Sequence, residues 1–354
     1  MNLRQQVGQL IIAGVEGAEL SGLERAWLKL IQPGGIILFR RNIEQASQVT
    51  ALLRDATQIA GGPLFRCVDL EGGLVDRLRD LIAPMPSPAA VFATGKRTHF
   101  VKHGRLIGQE CRALGFNVAL APVLDLALPE SAAVMRMRVV SADPGEVASY
   151  GLAFLEGLNA AGVMGCGKHF PGLGGGRLDS HVATPRIERT WKQLWEVDLA
   201  VFRALAPKLR MMMVSHAAYP QTKDKEPASI SRFWISGVLR KRVGFGGLVV
   251  SDDMEMGGIL TQVSMEEAAV KAVLAGIDLI EICKDPALVL RAYETLLREA
   301  ERSAAFRKRV KTAAHRVREH KRRYLNAALP RVASASQIER LRKRVQRFAD
   351  EVAV

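Results

Sequence analysis

Long apolar segments are missing from this sequence. No run of about 18 apolar residues occurs, so no membrane-spanning helix is expected. The N-terminus also lacks an apolar stretch of signal-peptide length, because Glu16 interrupts the short apolar run at 10–15. Cysteine is scarce, and none of the four cysteines, Cys67, Cys111, Cys166 and Cys283, forms a CxxC pair. These absences predict a cytoplasmic protein whose cysteines stay reduced.

Several nucleotide, nucleophile and metal motifs are also absent. The sequence contains no GxGxxG after a strand, no GxxxxGK[S/T] and no GxSxG. The glycines at 172–176 lack the Lys-Ser/Thr pair of a phosphate loop. No group of His, Cys, Asp or Glu residues has the spacing of a metal site. We therefore expect neither a cofactor nor a metal ion.

Acidic residues are nearly missing from the C-terminal part of the chain. The formal net charge is +14, and residues 302–347 contain sixteen Lys or Arg against only Glu319 and Glu339. This segment therefore carries the whole excess, and the rest of the chain is balanced. Such a segment would attract acidic polymers weakly and in a salt-dependent way, so no specific nucleic-acid partner is expected.

Apolar, strand-like segments alternate with amphipathic helical segments over the first 300 residues. Near-continuous apolar strands are typical of parallel sheets buried on both faces. The eight predicted strands are 10–15, 35–39, 64–68, 117–124, 163–167, 211–215, 247–251 and 278–282. The predicted helices between them include 43–60, 147–161, 191–205 and 265–275. This alternation predicts a (β/α)8 barrel, with a doubly wound open sheet as the alternative.

The pattern changes after residue 300. Residues 304–325 read as one long basic helix, Pro330 interrupts it, and a second helix follows with apolar residues at helical spacing. The sequence thus predicts a catalytic barrel over 1–300 and a basic helical extension over 301–354 that packs on the barrel.

Polar or glycine-rich residues directly follow four of the predicted strands. The four stretches are Asp69-Leu70-Glu71-Gly72-Gly73, Lys168-His169-Phe170-Pro171-Gly172, His216, and Asp252-Asp253-Met254-Glu255. In a closed barrel the C-terminal ends of the strands share one rim, where active sites lie. The sequence therefore predicts one active site at this rim. Because side chains alternate along a strand, only Asp252 or Asp253 is expected to point into the barrel mouth.

A glycine-rich loop after the fifth strand ends in Asp179-Ser180-His181. An aspartate two residues before a histidine is able to fix the imidazole tautomer and raise its basicity, which makes a proton donor near neutral pH. A second carboxylate at a strand end would then complete the pair of groups that glycoside cleavage needs. Asp252 is the candidate for that carboxylate.

The stretch Lys168-His169-Phe170-Pro171-Gly172-Leu173-Gly174, followed by Asp179-Ser180-His181, resembles the signature loop of family 3 glycoside hydrolases. Within that family it is similar to the bacterial β-N-acetylglucosaminidases. The other matching segments are 34–39, 68–73, 121–125 and 244–254. The resemblance covers residues 5–300 and implies a single barrel.

The resemblance also implies roles for individual residues. Asp252 would be the nucleophile, and Asp179 with His181 the acid/base pair. The residues implied to bind sugar hydroxyls are Asp69, Arg138, Lys168 and His169. Two further positions stay open: Glu71 fits a sugar contact or a buried ion pair, and His216 fits a site residue or a hydrogen-bonded core histidine.

Three departures from the family pattern bear on activity. Leu173 replaces the usual histidine, and Gly175-Gly176-Arg177 replaces the usual run before the acid/base pair, so a looser loop is expected. Leu74 stands where an arginine is usual, which puts sugar affinity in question.

Three functions fit these residues. The first is an exo-acting hydrolase that releases N-acetylglucosamine from cell-wall fragments or chitooligosaccharides. The second is a phosphorylase on the same fold, and the third is a sugar-binding barrel with weak catalysis. In all three the partner is a small carbohydrate.

Overall fold

Eight parallel strands close into a barrel in this computed structural model, which describes residues 1–180, 182–325 and 328–353. The order of the strands around the barrel is Ile11–Gly14, Leu279–Ile282, Leu248–Asp253, Met211–Val214, Met164–Phe170, Val118–Ala119, Phe65–Val68 and Gly35–Leu38, and a small antiparallel hairpin lies outside it. The predicted (β/α)8 barrel is confirmed.

The elements occupy the following bounds. The strands are β1 (Ile11–Gly14), β2 (Gly35–Leu38), β3 (Phe65–Val68), β4 (Leu70–Gly72), β5 (Val75–Asp76), β6 (Val118–Ala119), β7 (Met164–Phe170), β8 (Met211–Val214), β9 (Leu248–Asp253) and β10 (Leu279–Ile282). The α-helices are α1 (Leu3–Gly8), α2 (Gly22–Ile31), α3 (Ala46–Ile59), α4 (Pro88–Ala93), α5 (Arg97–Leu114), α6 (Ala132–Met135), α7 (Pro144–Ala160), α8 (Trp191–Gln193), α9 (Leu199–Leu205), α10 (Gly257–Leu260), α11 (Met265–Ala275), α12 (Pro286–Arg302), α13 (Ala304–Tyr324) and α14 (Ala335–Ala353).

Each barrel strand buries both of its faces. One face packs inside the barrel, where Cys67, Cys166, Met213 and Val250 share an apolar cluster. The other face packs against the surrounding helices in a second, larger cluster. This double burial explains why the strands read as near-continuous apolar segments.

The strand bounds differ from the prediction at three places that matter for the site. The fourth barrel strand is only Val118–Ala119, whereas β7 runs on to Phe170 and β9 to Asp253. Lys168 and Asp252 therefore lie within strands rather than just after them. Strand backbone holds these polar side chains more rigidly than a loop would.

The hairpin β4-β5 carries Glu71 over the barrel mouth. Its turn uses Gly72 at φ +94° and Gly73 at φ +61°, which is the left-handed region that side chains with a Cβ rarely adopt. Asp76 fixes the hairpin base because its carboxylate accepts the backbone N–H groups of Leu78 and Met85, each at 3.0 Å.

The basic C-terminal helices pack on the barrel core. Val317 of α13 joins the interior cluster, and Arg309 and Arg316 reach the buried Asp278 carboxylate at 3.2 and 2.9 Å. Helix α13 thus lies across the N-terminal ends of the strands, opposite the predicted active site. The boundary at residue 300 stays a prediction. Within the described ranges, no helix combines the length and apolarity needed to cross a membrane.

Candidate active site

One cavity at the C-terminal end of the barrel contains every predicted site residue that the structure describes. Its lining includes Asp69, Arg138, Lys168, His169, Asp179 and Asp252. His181 lies outside the described residues. Glu71, Asp253 and Glu281 add three more carboxyl groups to the same lining.

Lys168 is a buried cation that joins two carboxylates. Its side chain is 3% exposed, and Nζ lies 2.9 Å from Asp69 Oδ1 and 2.7 Å from Glu71 Oε1. Burial would lower the pKa of Lys168, but the two carboxylates outweigh burial and raise it. Burial likewise would raise the pKa of Asp69, yet Lys168 and Arg77 hold it well below its ordinary value. All three groups are therefore charged at neutral pH.

Arg138 and Glu71 form a bidentate ion pair beside this lysine. Arg138 Nε lies 2.8 Å from Glu71 Oε2, and Nη2 lies 2.8 Å from Oε1. Arg138 and Lys168 together outweigh the effect of burial and lower the pKa of Glu71 to about 2. Glu71 thus forms a buried ion pair, which is one of the two interpretations of the sequence. Its contacts orient Lys168 and Arg138 in the cavity wall. The direct binding of sugar by Arg138 stays a prediction.

Asp125 fixes the orientation of His169, and sequence reasoning did not single it out. Its Oδ2 lies 2.6 Å from His169 Nδ1, and its Oδ1 accepts the backbone N–H of Leu173 at 2.7 Å. The only sequence signal was its position at the end of a matching segment, 121–125. Because one carboxylate holds both the ring and the next loop, His169 Nε2 keeps a defined direction.

Asp252 continues the inward side of its strand. Leu248 and Val250 belong to the interior cluster, so alternation directs Asp252 inward as well. Asp253 also belongs to the cavity lining, so both acids border the cavity. Which of the two side chains points into the barrel mouth stays a prediction. The strand pairing beside them is irregular, since Val250 pairs with Leu279 but Asp253 pairs with Glu281.

The surroundings of Asp253 change its pKa and hold the end of its strand. Burial, the largest cause, together with repulsion from Glu255 and Asp252 raises the pKa of Asp253 to about 7. The Asp253 carboxyl accepts the backbone N–H of Glu255 at 3.0 Å, and its backbone oxygen lies 2.9 Å from His216 Nε2. His216 Nδ1 in turn lies 2.7 Å from Ser229 Oγ, so His216 supports the end of β9 from outside the cavity lining.

The loop that carries Asp179 is held at both ends. At its start, Tyr219 Oη donates to the Gly172 carbonyl at 2.8 Å. At its end, the Ser180 carbonyl accepts the Gly258 N–H at 2.9 Å. A Cβ on Gly258 would lie 2.8 Å from that same oxygen, so the close approach needs glycine. Exposed Asp179 lies between these anchors at the mouth of the cavity. The looser loop expected from its sequence stays a prediction.

A family model, the N-terminal domain of glycosyl hydrolase family 3, matches residues 2–319 of the chain. The chain belongs to this family. It is accordingly a glycoside hydrolase, and the family inferred from the signature loop is confirmed.

Individual family 3 proteins are similar in sequence or structure to most of this chain. The β-hexosaminidase of Idiomarina loihiensis is 35% identical over 305 residues, which cover 85% of this chain and 91% of that enzyme. NagZ from Neisseria gonorrhoeae, solved in complex with N-trifluoroacetyl-D-glucosamine, has a TM-score of 0.74 at 29% identity and covers 87% of this chain and 97% of its own. A fungal multi-domain family 3 β-N-acetylglucosaminidase has a TM-score of 0.93 at 30% identity and covers 99% of this chain. The chain spans 43% of that fungal protein.

The hairpin of this family 3 hydrolase supplies a cation despite the departure at Leu74. Leu74 is exposed, but Arg77, three residues later, lines the cavity and lies 3.5 Å from Asp69. Sequence reasoning considered only Leu74 and missed Arg77. Among the described residues, no group of three or more His, Cys, Asp or Glu is arranged to hold a metal ion.

Proposed function

We propose that this family 3 hydrolase is a retaining exo-β-N-acetylglucosaminidase that releases terminal β-linked N-acetylglucosamine from peptidoglycan fragments (muropeptides). The observation that carries the proposal is that Asp252 and Asp179 share one cavity with the cations Lys168, Arg138 and Arg77. Of the family 3 relatives described above, the fungal protein is a β-N-acetylglucosaminidase, and NagZ was solved with N-trifluoroacetyl-D-glucosamine.

The proposed reaction has two displacements. Asp252 attacks the anomeric carbon, and the leaving oxygen takes a proton from His181, which Asp179 orients. The bond from the anomeric carbon to the aglycone breaks as the bond to the Asp252 carboxylate forms. Water then attacks the anomeric carbon of the glycosyl-enzyme and gives one proton to His181, while the bond from that carbon to the Asp252 carboxylate breaks. Two inversions at one carbon leave the product with the original β configuration.

The shape of the cavity supports removal of a single terminal sugar. Inward-facing barrel residues such as Leu120 and Met213 belong to its lining, and the hairpin and loop residues Val75 and Leu178 extend it. A pocket that ends in the barrel admits one chain end, whereas cleavage inside a polymer needs an open groove. Within this pocket, the fixed charges of Lys168 and Asp69 would pair with sugar hydroxyls.

We also place this activity in the cytoplasm. All four cysteines are buried and unpaired, which is typical of proteins from reducing compartments.

Turnover of a chromogenic N-acetyl-β-glucosaminide tests the proposed function. A site built to hydrogen-bond a 2-acetamido group strongly rejects a substrate without it, so we expect a preference over the plain β-glucoside of about 100-fold or more in kcat/KM. Equal rates on the two substrates would contradict the proposed function and indicate a β-glucosidase. Binding of N-acetylglucosamine without any turnover would instead support the sugar-binding barrel with weak catalysis.

Replacement of His181 by Ala tests the acid/base assignment. General acid catalysis contributes about 10²–10⁴-fold, and poor leaving groups need the proton most. We therefore expect His181→Ala to lose activity in that range on chitobiose and to lose far less on nitrophenyl glycosides. His315→Ala, which changes an exposed histidine of α13, should behave like the wild type on both substrates.

The same assays decide between water and phosphate as acceptor. A neutral imidazole does not repel an incoming anion, so a histidine acid/base is compatible with either acceptor. We expect free N-acetylglucosamine at every phosphate concentration. Phosphate-stimulated formation of N-acetylglucosamine 1-phosphate would make the enzyme a phosphorylase. Equal losses on good and poor leaving groups would show that His181 is not the acid.

A further inference from the structure

Glu281 lies on a cavity-lining strand that carries none of the predicted catalytic groups. It belongs to β10, and Leu279 and Cys283, two residues to either side, both belong to the interior cluster. Alternation along the strand therefore directs Glu281 into the barrel as well. Its side chain lines the same cavity as Asp69 and Asp252.

The carboxyl group of Glu281 is buried without a complete set of partners. The residue is 2% exposed, and Oε1 has no hydrogen-bond partner in the part of the chain that the structure describes. Lys168 does not supply one, because its ammonium group is engaged by Asp69 and Glu71. A buried polar atom without a partner is costly, and its presence in a ligand cavity indicates that a ligand supplies the missing contact.

The charges around Glu281 determine its protonation state. Burial is the largest cause that raises its pKa well above the ordinary value, and the carboxylates of Asp69, Asp252 and Asp253 raise it further. Lys168 opposes this effect only in part. The buried thiols of Cys67, Cys166 and Cys283 also interact with Glu281, and burial raises the pKa of each. These effects favour the neutral form of Glu281, which has one O–H to donate.

We propose that Glu281 is a further sugar-contacting residue, whose carboxyl group donates a hydrogen bond from the cavity floor to one hydroxyl of the bound N-acetylhexosamine. This role rests on the proposed function, because it requires the sugar in this cavity. It adds a hydrogen bond to a single hydroxyl of the sugar, and this bond is separate from the ion pairs of Lys168 and Arg138. Glu281 thereby becomes a determinant of sugar selectivity.

Deoxygenated substrates test the contact one hydroxyl at a time. The wild type, Glu281→Leu and Glu281→Gln are compared on a nitrophenyl N-acetyl-β-glucosaminide and on its 3-deoxy, 4-deoxy and 6-deoxy forms. On the parent substrate, Glu281→Leu should lower kcat/KM by up to about tenfold, the factor expected for one lost hydrogen bond. On one of the deoxy substrates it should cause almost no loss, because the partner hydroxyl is already missing. Glu281→Gln should retain most activity, because its amide N–H replaces the donor.

Glu110 on α5 provides a matched control. It is also fully buried, both of its carboxyl oxygens lack partners in the described part of the chain, and burial raises its pKa. It does not belong to the lining given above for the sugar cavity. Glu110→Leu should therefore change the unfolding temperature while the ratio of rates on the parent and deoxy substrates stays that of the wild type.

The outcomes separate this proposal from the proposed function. Equal losses for Glu281→Leu on all four substrates, no loss on any, or a folded but inactive Glu281→Gln would overturn the contact. Calorimetric binding of N-acetylglucosamine gives a readout without turnover, and Glu281→Leu should weaken it by the same factor. If the wild type binds the sugar through Glu281 but shows no turnover of N-acetyl-β-glucosaminides, the contact stands and the proposed function fails.

Discussion

Replacing Asp252 by Asn should lower kcat/KM on a chromogenic N-acetyl-β-glucosaminide by about 10⁴-fold or more, as removal of a catalytic nucleophile does in other enzymes. The amide keeps the size of the carboxylate but does not form the glycosyl-enzyme. Because Asp252 is only partly buried and one of its oxygens accepts the Asp253 N–H at 3.0 Å, the substitution should leave the fold intact. Steady-state kinetics with a thermal melt of the same sample measure both effects.

Asp253→Asn is the matched control for that variant. The pKa of Asp253 is raised to about 7, so much of this group is already protonated at neutral pH. Its hydrogen bond to the Glu255 backbone is available to an amide oxygen as well. We expect a loss of less than about tenfold, the size of one neutral hydrogen bond. A larger loss from Asp253→Asn than from Asp252→Asn would indicate that Asp253, and not Asp252, is the nucleophile.

Replacing Lys168 by Met should destabilise the folded protein by about 3–5 kcal/mol, the cost of removing one partner from a buried ion pair. Among the described residues, the variant leaves Asp69 and Glu71 close together with Arg77 and Arg138 to balance them. Turnover should also be lost, because both carboxylates shape the sugar cavity. Chemical denaturation gives the free energy of unfolding, and Lys102→Met, which removes an exposed ion pair with Glu351, should cost less than about 1 kcal/mol.

The pH dependence of this effect has a defined sign. In the wild type the pKa values of Asp69 and Glu71 are lowered, so their stabilising contribution is present above the unfolded-state pKa and is lost as pH falls through the folded-state value, about 2 for Glu71. In Lys168→Met the same carboxyls become harder to ionise. The stability difference between the two proteins should therefore be largest at neutral pH and smaller near pH 4, about where free Asp and Glu titrate. A difference that is constant with pH would mean that lost packing, and not lost charge, causes the destabilisation.

The barrel was predictable from the sequence because its strands are buried on both faces. The segment 35–39 is apolar throughout and the segment 211–215 is apolar up to Ser215, and the structure places strands within each of them. The extension of β7 to Phe170 and of β9 to Asp253 was not predictable in the same way. Lys168 and Asp252 interrupt the apolar pattern, yet the backbone continues as a strand because Phe170 still pairs with β8 and Asp253 still pairs with β10.

The sequence predicted that the site residues meet at the C-terminal rim of the barrel, but it did not predict their contacts with one another. Asp125 and His169 are 44 residues apart, and Lys168 and Asp69 are 99 apart, so no local pattern connects them. Glu281 was missed for a related reason, since a single acid inside an apolar strand carries no motif. Buried polar groups of this kind are identified by their surroundings and not by their neighbours in sequence.

The C-terminal charge has a partly structural purpose. Arg309 and Arg316, together with Arg240, reach the buried carboxylate of Asp278 at the N-terminal end of the barrel. The sequence indicated packing of this segment from its apolar spacing. It did not indicate that a fixed acid at the base of β10 would hold the basic helix in place.

The peptide that carries the covalent intermediate is the most direct test of the account. A slow 5-fluoro N-acetylglucosaminyl fluoride should trap the enzyme, and mass spectrometry of the digested protein should place one sugar on Asp252, with β-configured product from the normal substrate. Asp253→Asn should still be labelled and Asp252→Asn should not. A sugar attached to Asp253, or a product of inverted configuration, would contradict the proposed mechanism.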